Sequence, residues 1–221
     1  MSEKPSIRTY TSDAIDVHYD TKRCIHAEEC VHRLRAVFNP QARPWIQPGN
    51  ASAEEIASTI EACPSGALAY TRKDGGPTET PDDANTIHIE AGGPLYVRGV
   101  VRITSGDGTW THEDSRVALC RCGQSNNKPF CDNAHKDAGF DAGDVLANNL
   151  AKSTPLEEAG GPLAITTATN GPLLLNGAFT LHSSDGSTVY SGRSTALCRC
   201  GQSGNKPFCD GTHRKVGFTA R

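Results

Sequence analysis

Two stretches of the chain are extended and apolar and run into the same dipeptide. Leu95–Ile103 leads to Asp107-Gly108, and Leu173–Leu181 leads to Asp185-Gly186. Asp-Gly between apolar runs predicts a hairpin whose central residues take positive φ. Ile87 and Ile165 predict one more strand ahead of each hairpin. After each hairpin come a cysteine-bearing loop and a short helix that ends near Gly139 or Gly217. The pattern before residue 75 is different. Ala14–Tyr19 and Leu68–Thr71 read as strands, and Ala27–Ala36 as a short helix. Ser52-Ala-Glu-Glu55 is a capping box that opens a helix running to about Ala62. Lys73–Asn85 is polar and contains Gly and Pro, as an interdomain linker does. The predicted class is α+β. The predicted segments are a tail over 1–13, a first domain over 14–72, the linker over 73–85, a β-rich unit over 86–140, a loop-like connector over 141–162 with room for one helical turn, and a second β-rich unit over 163–221.

The two β-rich units are copies. Gly93–Phe140 aligns without a gap to Gly171–Phe218 at an offset of 78 positions, and LCRCGQSNNKPFCDNAH answers LCRCGQSGNKPFCDGTH. Self-similarity of this kind marks a duplicated supersecondary unit. Two copies are too few for a solenoid, so the expectation is a pair packed about a pseudo-twofold axis.

Composition bears on what stabilises such units. Among 221 residues there are 22 Gly and 13 Pro, and aromatics are only 6%, which describes loop-rich domains with thin cores that need another stabiliser. Nine cysteines are present. An odd count excludes complete internal disulfide pairing. The start, MSEKPSIRTY, lacks the apolar run of a signal peptide, so a reducing, cytoplasmic setting is expected, in which thiols persist and bind metal. The net charge of −3 offers no basic excess for nucleic acid. No apolar run approaches the ~18 residues that would cross a bilayer.

Six of the cysteines fall in a repeated Cys-x-Cys-x8-Cys-x3-His pattern: Cys120, Cys122, Cys131 and His135, then Cys198, Cys200, Cys209 and His213. The turn holding Gly123 and Pro129 lets the chain fold back and gather three sulfurs. Asp132 and Asp210 are placed to be helix N-caps, which would put each histidine in a first helical turn on the side of the third cysteine. Zinc accepts the same donors. The phrase Cys198-x-Cys200-x2-Ser203-x3-Pro207-x-Cys209-Asp210-Gly211-Thr212-His213 closely resembles the CDGSH iron–sulfur domain family. The first copy matches at Cys120, Cys122, Ser125, Pro129, Cys131, Asp132, Ala134 and His135, and departs at Asn133, where the family has Gly. The resemblance covers about residues 85–220. It implies one [2Fe–2S] cluster per copy, with one iron on two thiolates and the other on a thiolate and an imidazole, and a β-rich dimer condensed into one chain. An imidazole ligand raises the potential relative to four thiolates and can be protonated near neutral pH, so reduction coupled to protonation of His135 and His213 is expected. Arg121, Arg199, Lys128 and Lys206 are expected to be solvated, with hydrogen bonding toward the cluster as the alternative.

Cys24, Cys30 and Cys63-Pro64 remain. The spacing resembles a divergent single-cluster ferredoxin domain over about residues 14–72, carried by Arg-Cys24-Ile-His26-Ala, Pro44-Trp45-Ile46 and Cys63-Pro-Ser-Gly66-Ala-Leu, with Ala27 in the slot of the usual middle cysteine. Three thiolates suit a [3Fe–4S] cluster. A [4Fe–4S] cluster needs His26 or an exogenous ligand as its fourth donor. Three unliganded core cysteines are the alternative. No catalytic constellation accompanies these sites, so the expected role is one-electron transfer rather than enzymatic. The alternatives are cluster storage or transfer, or redox or pH sensing. The expected partner is a redox protein or an apo-acceptor of clusters, and the expected state is a monomer with an internal pseudo-dimer.

Overall fold

The structure is a computed structural model that describes residues 6–144, 146–156 and 160–220. Residues 1–5 of the expected tail, 145 and 157–159 of the expected connector, and 221 lie outside these. The chain divides into two units, Met1–Thr80 and Pro81–Arg221.

The first unit is a three-stranded antiparallel sheet in the order β1 (Ile7–Thr11), β2 (Ile15–Asp20), β3 (Leu68–Arg72), with helices α1 (Glu29–Arg33) and α2 (Ala53–Glu61) between β2 and β3. In α2 the Ser52 side chain accepts from the Glu55 N–H, and the Glu55 carboxylate accepts from the Ser52 N–H. The buried face of α2, with Ile56, Ala57 and Ile60, shares a core with Ile15, Val17 and Phe38. One expectation needs correcting here: residues 7–11 are not tail. They pair with β2 from Ile7 opposite Asp20 to Thr11 opposite Asp16. Four of the five are exposed, so this edge strand leaves no buried stripe in the sequence. Helix α1 is also shorter than Ala27–Ala36, because His26 and Glu28 take left-handed φ of 52° and 62° and break the turn.

The second unit is one six-stranded sheet. Its strands are β4 (Thr86–Ile89), β5 (Leu95–Ser105), β6 (Thr111–Leu119), β7 (Leu163–Thr167), β8 (Leu173–His182) and β9 (Val189–Leu197). β5–β6 and β8–β9 are hairpins. β4 pairs antiparallel with β5 and parallel with β8. β7 pairs antiparallel with β8 and parallel with β5. The registers repeat with the sequence offset: Thr86 faces Thr180 as Ala164 faces Arg102, and Ile87 faces Leu181 as Ile165 faces Ile103. Each copy therefore lends its first strand to the other copy's hairpin. Ile87, Ile103, Ile165 and Leu181 are buried in a single core drawn from both copies, so neither hairpin has a core of its own.

The crossing needs close backbone approach. β5 and β8 each carry a bulge, between Arg98 and Val101 and between Asn176 and Phe179. The bulges contain Gly99 (φ 128°) and Gly177 (φ 124°), where a Cβ would collide with Asn85 and with Pro162. Asn85 is buried. Its Nδ2 donates to the carbonyls of Gly161 and Ala178 (2.9 Å each), and its Oδ1 accepts from the Val100 N–H (2.9 Å). Asn85→Ala strands these groups away from water, and stability is expected to fall by about 3 kcal/mol, measured by urea unfolding.

The Asp-Gly turns are hairpins, but Asp107 and Asp185 do not take positive φ; only Gly108 and Gly186 do. Each connection contains a four-residue turn, Ser105–Gly108 or Ser183–Gly186, closed by Gly108 N–H to Ser105 O and by Gly186 N–H to Ser183 O. Each aspartate accepts from the hydroxyls and N–H groups around it, which suits connections longer than a two-residue turn. The connector holds one 3-10 segment, Leu146–Lys152. His88 and His182 stack across β4 and β8 with ring centroids 4.4 Å apart. Among the described residues, no helix is long and apolar enough to cross a membrane.

Candidate metal centres

Each hairpin of the second unit delivers its last strand straight into a cysteine loop. Leu119 and Leu197 end β6 and β9, and each makes an isolated bridge to Phe130 or Phe208. The loop is thereby folded back on its own strand, which brings the third cysteine beside the first two. Ser125 and Ser203 fix the bend by donating to the carbonyls of Phe130 and Phe208 (2.7 Å each). Asp132 and Asp210 are not N-caps. The caps are Asn133 and Gly211, both left-handed, at φ 72° and 85°. Each aspartate instead ties the loop to the helix start: Asp132 accepts from Asn126 and Ala134, and Asp210 from Gly204 and Thr212. Asn133 adopts the conformation that Gly211 does, so the departure from the family pattern leaves the backbone path intact.

In the first copy the donors stand as two pairs. Cys120 Sγ lies 3.7 Å from Cys122 Sγ, and Cys131 Sγ lies 3.5 Å from His135 Nδ1. Two sulfurs on one tetrahedral metal stand roughly 3.8 Å apart, and a sulfur and an imidazole nitrogen roughly 3.6 Å. Each pair thus has the spacing of two ligands on one metal. All four residues are buried. Burial pushes the Cys131 thiol up to about 11, so a metal cation is needed for that sulfur to hold its charge. Burial also holds the His135 imidazole below its usual range, leaving it neutral and able to ligate. Backbone N–H groups of Gln124 and Asn133 point at Cys122 and Cys131 (3.4 and 3.5 Å). The donor set fits an iron–sulfur cluster.

The second copy repeats the Cys198–Cys200 pair at 3.7 Å but turns its histidine away. His213 Nδ1 donates to the Asn170 carbonyl at 2.8 Å, and that bond must be given up before Nδ1 can meet a metal. Cys209 and His213 are half-buried where Cys131 and His135 are buried, and they line an open cleft of about 740 Å³ with Leu174, Arg214 and Phe218.

The arginines between the cysteines correct an expectation. Arg121 and Arg199 are not solvated; each is 1% exposed. Arg121 donates to the carbonyls of Glu90, Gly93, Ala142 and Gly143, and Arg199 to those of Ala168, Gly171 and Ala220. The signal was in the repeat: both copies place an arginine between their first two cysteines. Lys128 and Lys206 are half-buried and donate to the carbonyls of Ser125 and Ser203.

In the first unit, Cys24, Cys30 and Cys63 line one cavity of about 570 Å³ with His26, Ala27, Tyr19 and Trp45. All three cysteines are half-buried, and Cys30 and Cys63 pack against the core of the unit. Burial and the neighbouring Cys63 and Cys24 push the Cys30 thiol up to about 12. Three sulfurs around a shared space suit a polynuclear cluster. Among the described residues, no three Cys, His, Asp or Glu side chains meet closely enough for a single metal ion.

The comparisons agree with this chemistry. Residues 92–136 and 170–214 match the family described as iron-binding zinc finger, CDGSH type. Residues 10–73 match the divergent 4Fe-4S mono-cluster family. The chain belongs to the CDGSH family in tandem form, with a divergent 4Fe-4S mono-cluster domain at its N-terminus. This tandem CDGSH protein is also similar to the uncharacterized protein YjdI of Escherichia coli strain K12 and to that of Escherichia coli O157:H7. Each is 39% identical over 66 residues, which is 30% of this chain and 87% of the relative. No solved structure matches. The tandem CDGSH protein is an iron–sulfur protein.

Proposed function

We propose that the protein is a non-enzymatic one-electron carrier with three clusters: a [2Fe–2S] cluster on Cys120, Cys122, Cys131 and His135, another on Cys198, Cys200, Cys209 and His213, and a [3Fe–4S] or [4Fe–4S] cluster on Cys24, Cys30 and Cys63. His26 is the one imidazole lining the N-terminal cavity and is the candidate fourth donor there. The clusters, when bound, each accept and release one electron. The observation that carries the reading is the two-plus-two donor spacing of the first copy, held in a buried loop that is braced by its own strand and need not rearrange between oxidation states. The second unit is read as a pseudo-twofold intramolecular dimer, and the exchanged β4–β8 and β7–β5 registers support this. The partner is a redox protein approaching at the half-buried Cys209 and His213. Nine free thiols suit a reducing compartment such as the cytoplasm.

A second reading, delivery of a cluster to an apo-acceptor, is favoured by one observation: the His213 imidazole has an alternative partner in the Asn170 carbonyl. Repeated anaerobic reduction with dithionite and reoxidation separates the two. The carrier reading expects the visible absorption to return through many cycles and electrons to reach a one-electron acceptor. Loss of clusters to an apo-ferredoxin, abolished by His213→Cys, would favour delivery.

A further inference from the structure

The two cysteine loops of the second unit touch reciprocally. A Cβ on Gly123 would stand 2.5 Å from the carbonyl oxygen of Cys200, and one on Gly201 would collide with the carbonyl oxygen of Cys122. Each loop carries its buried arginine one residue before the cysteine that meets the other copy. The guanidinium of Arg121 interacts electrostatically with Cys198 of the second copy as well as with Cys122, Glu90 and Asp144. That of Arg199 interacts with Cys120 of the first copy. Carbonyl oxygens and the faces of Phe140 and Phe218, 5.4 and 5.5 Å from the guanidinium carbons, hold both groups in place. A guanidinium cannot shed its charge in a protein, and an interior charge acts over longer range than one in water.

We propose that each buried arginine acts across the boundary between the copies: Arg121 supplies fixed positive charge to the Cys198–Cys200 site and Arg199 to the Cys120–Cys122 site, so that each copy sets part of its neighbour's reduction potential. Positive charge favours the reduced, more negative site, so removing it lowers the potential. The inference rests on the electron-carrier reading for its use, not for its test. Potentials are measured with no partner present, so a failed partner assay leaves it standing, whereas absence of iron–sulfur signals removes the reading itself.

The test is a spectroelectrochemical titration of the full-length, cluster-loaded protein at one fixed pH. The background is His135→Cys, which leaves the second copy as the one histidine-ligated site with its own EPR signal. Arg121→Met is expected to shift the oxidised-to-reduced ratio of that second site about tenfold, or about 59 mV downward for one electron, and Arg121→Lys to restore most of it. A purely structural clamp would make lysine behave like methionine, since lysine cannot reproduce the fork that reaches the carbonyls. An unshifted second site, or lysine matching methionine, overturns the proposal. If Arg121→Met does not hold its clusters, Arg199→Met and Arg199→Lys in a His213→Cys background make the same measurement on the first site. Loss of clusters in both methionine variants, with both lysine variants shifted as well, assigns the arginines to structure alone and also overturns it.

Discussion

Replacing Cys122 with alanine is expected to remove about two iron and two sulfide per chain together, and to leave the second copy and the N-terminal site loaded. The sulfur of Cys122 is one of a pair 3.7 Å from Cys120. Its thiolate is favoured by the Cys120 thiol and the Gln124 N–H that point at it. With this sulfur gone, one metal keeps a single protein ligand while the Cys131–His135 pair is intact, and a two-metal centre held by three of its four protein ligands is expected to be lost. Stability falls with it, because ligation in such a small unit is part of the folding free energy. Iron, sulfide and thermal unfolding measured on one preparation report the result. Loss of one metal with no sulfide would point to a mononuclear site.

Gly201→Ala is expected to damage both copies, not only the one it belongs to. Gly201 has φ 78°, and a Cβ there meets the carbonyl of Cys122. The left-handed conformation costs about 1–2 kcal/mol for a residue with a Cβ, and forcing two backbones apart in a packed interior adds about 1–3 kcal/mol. The strain lands on both cysteine loops at once, so iron should fall at both Cys3His sites and not at the N-terminal one. Gly204→Ala, whose Cβ would lie 3.7 Å from Asp210, is the matched control and should keep its iron. Equal retention in both variants would mean that the loops are not in contact.

The repeat made most of the second unit legible. Strands β5 and β8, the cysteine loops and the short helices follow from apolar runs, Asp-Gly and Cys-x-Cys, because each is a local pattern. The pairing of β4 with β8 and of β7 with β5 joins strands far apart in the chain, Thr86 to Thr180 and Leu163 to Val101, through backbone hydrogen bonds, and no local pattern records that. Strand β1 was hidden for a related reason: an exposed edge strand buries almost nothing and needs no alternation. The burial of the arginines is not legible, because surface preference is the general rule for the residue type, while Arg121 is held inside by the carbonyls of Glu90, Gly93, Ala142 and Gly143 and Arg199 by those of Ala168, Gly171 and Ala220. Asn133 was legible in its effect, since Asn is among the few residues that tolerate the left-handed conformation Gly211 adopts. The turn of His213 toward Asn170 was not legible, because it depends on a carbonyl 43 positions away.

On this reading the nine cysteines hold polynuclear iron–sulfur centres, and His135 and His213 complete two of those centres. Iron, zinc and acid-labile sulfide determined on anaerobically purified full-length protein test it most directly, with EPR of the dithionite-reduced sample. The expected result is about seven or eight iron per chain, sulfide in comparable amount, negligible zinc and signals of histidine-ligated two-iron centres. Stoichiometric zinc without sulfide would contradict it.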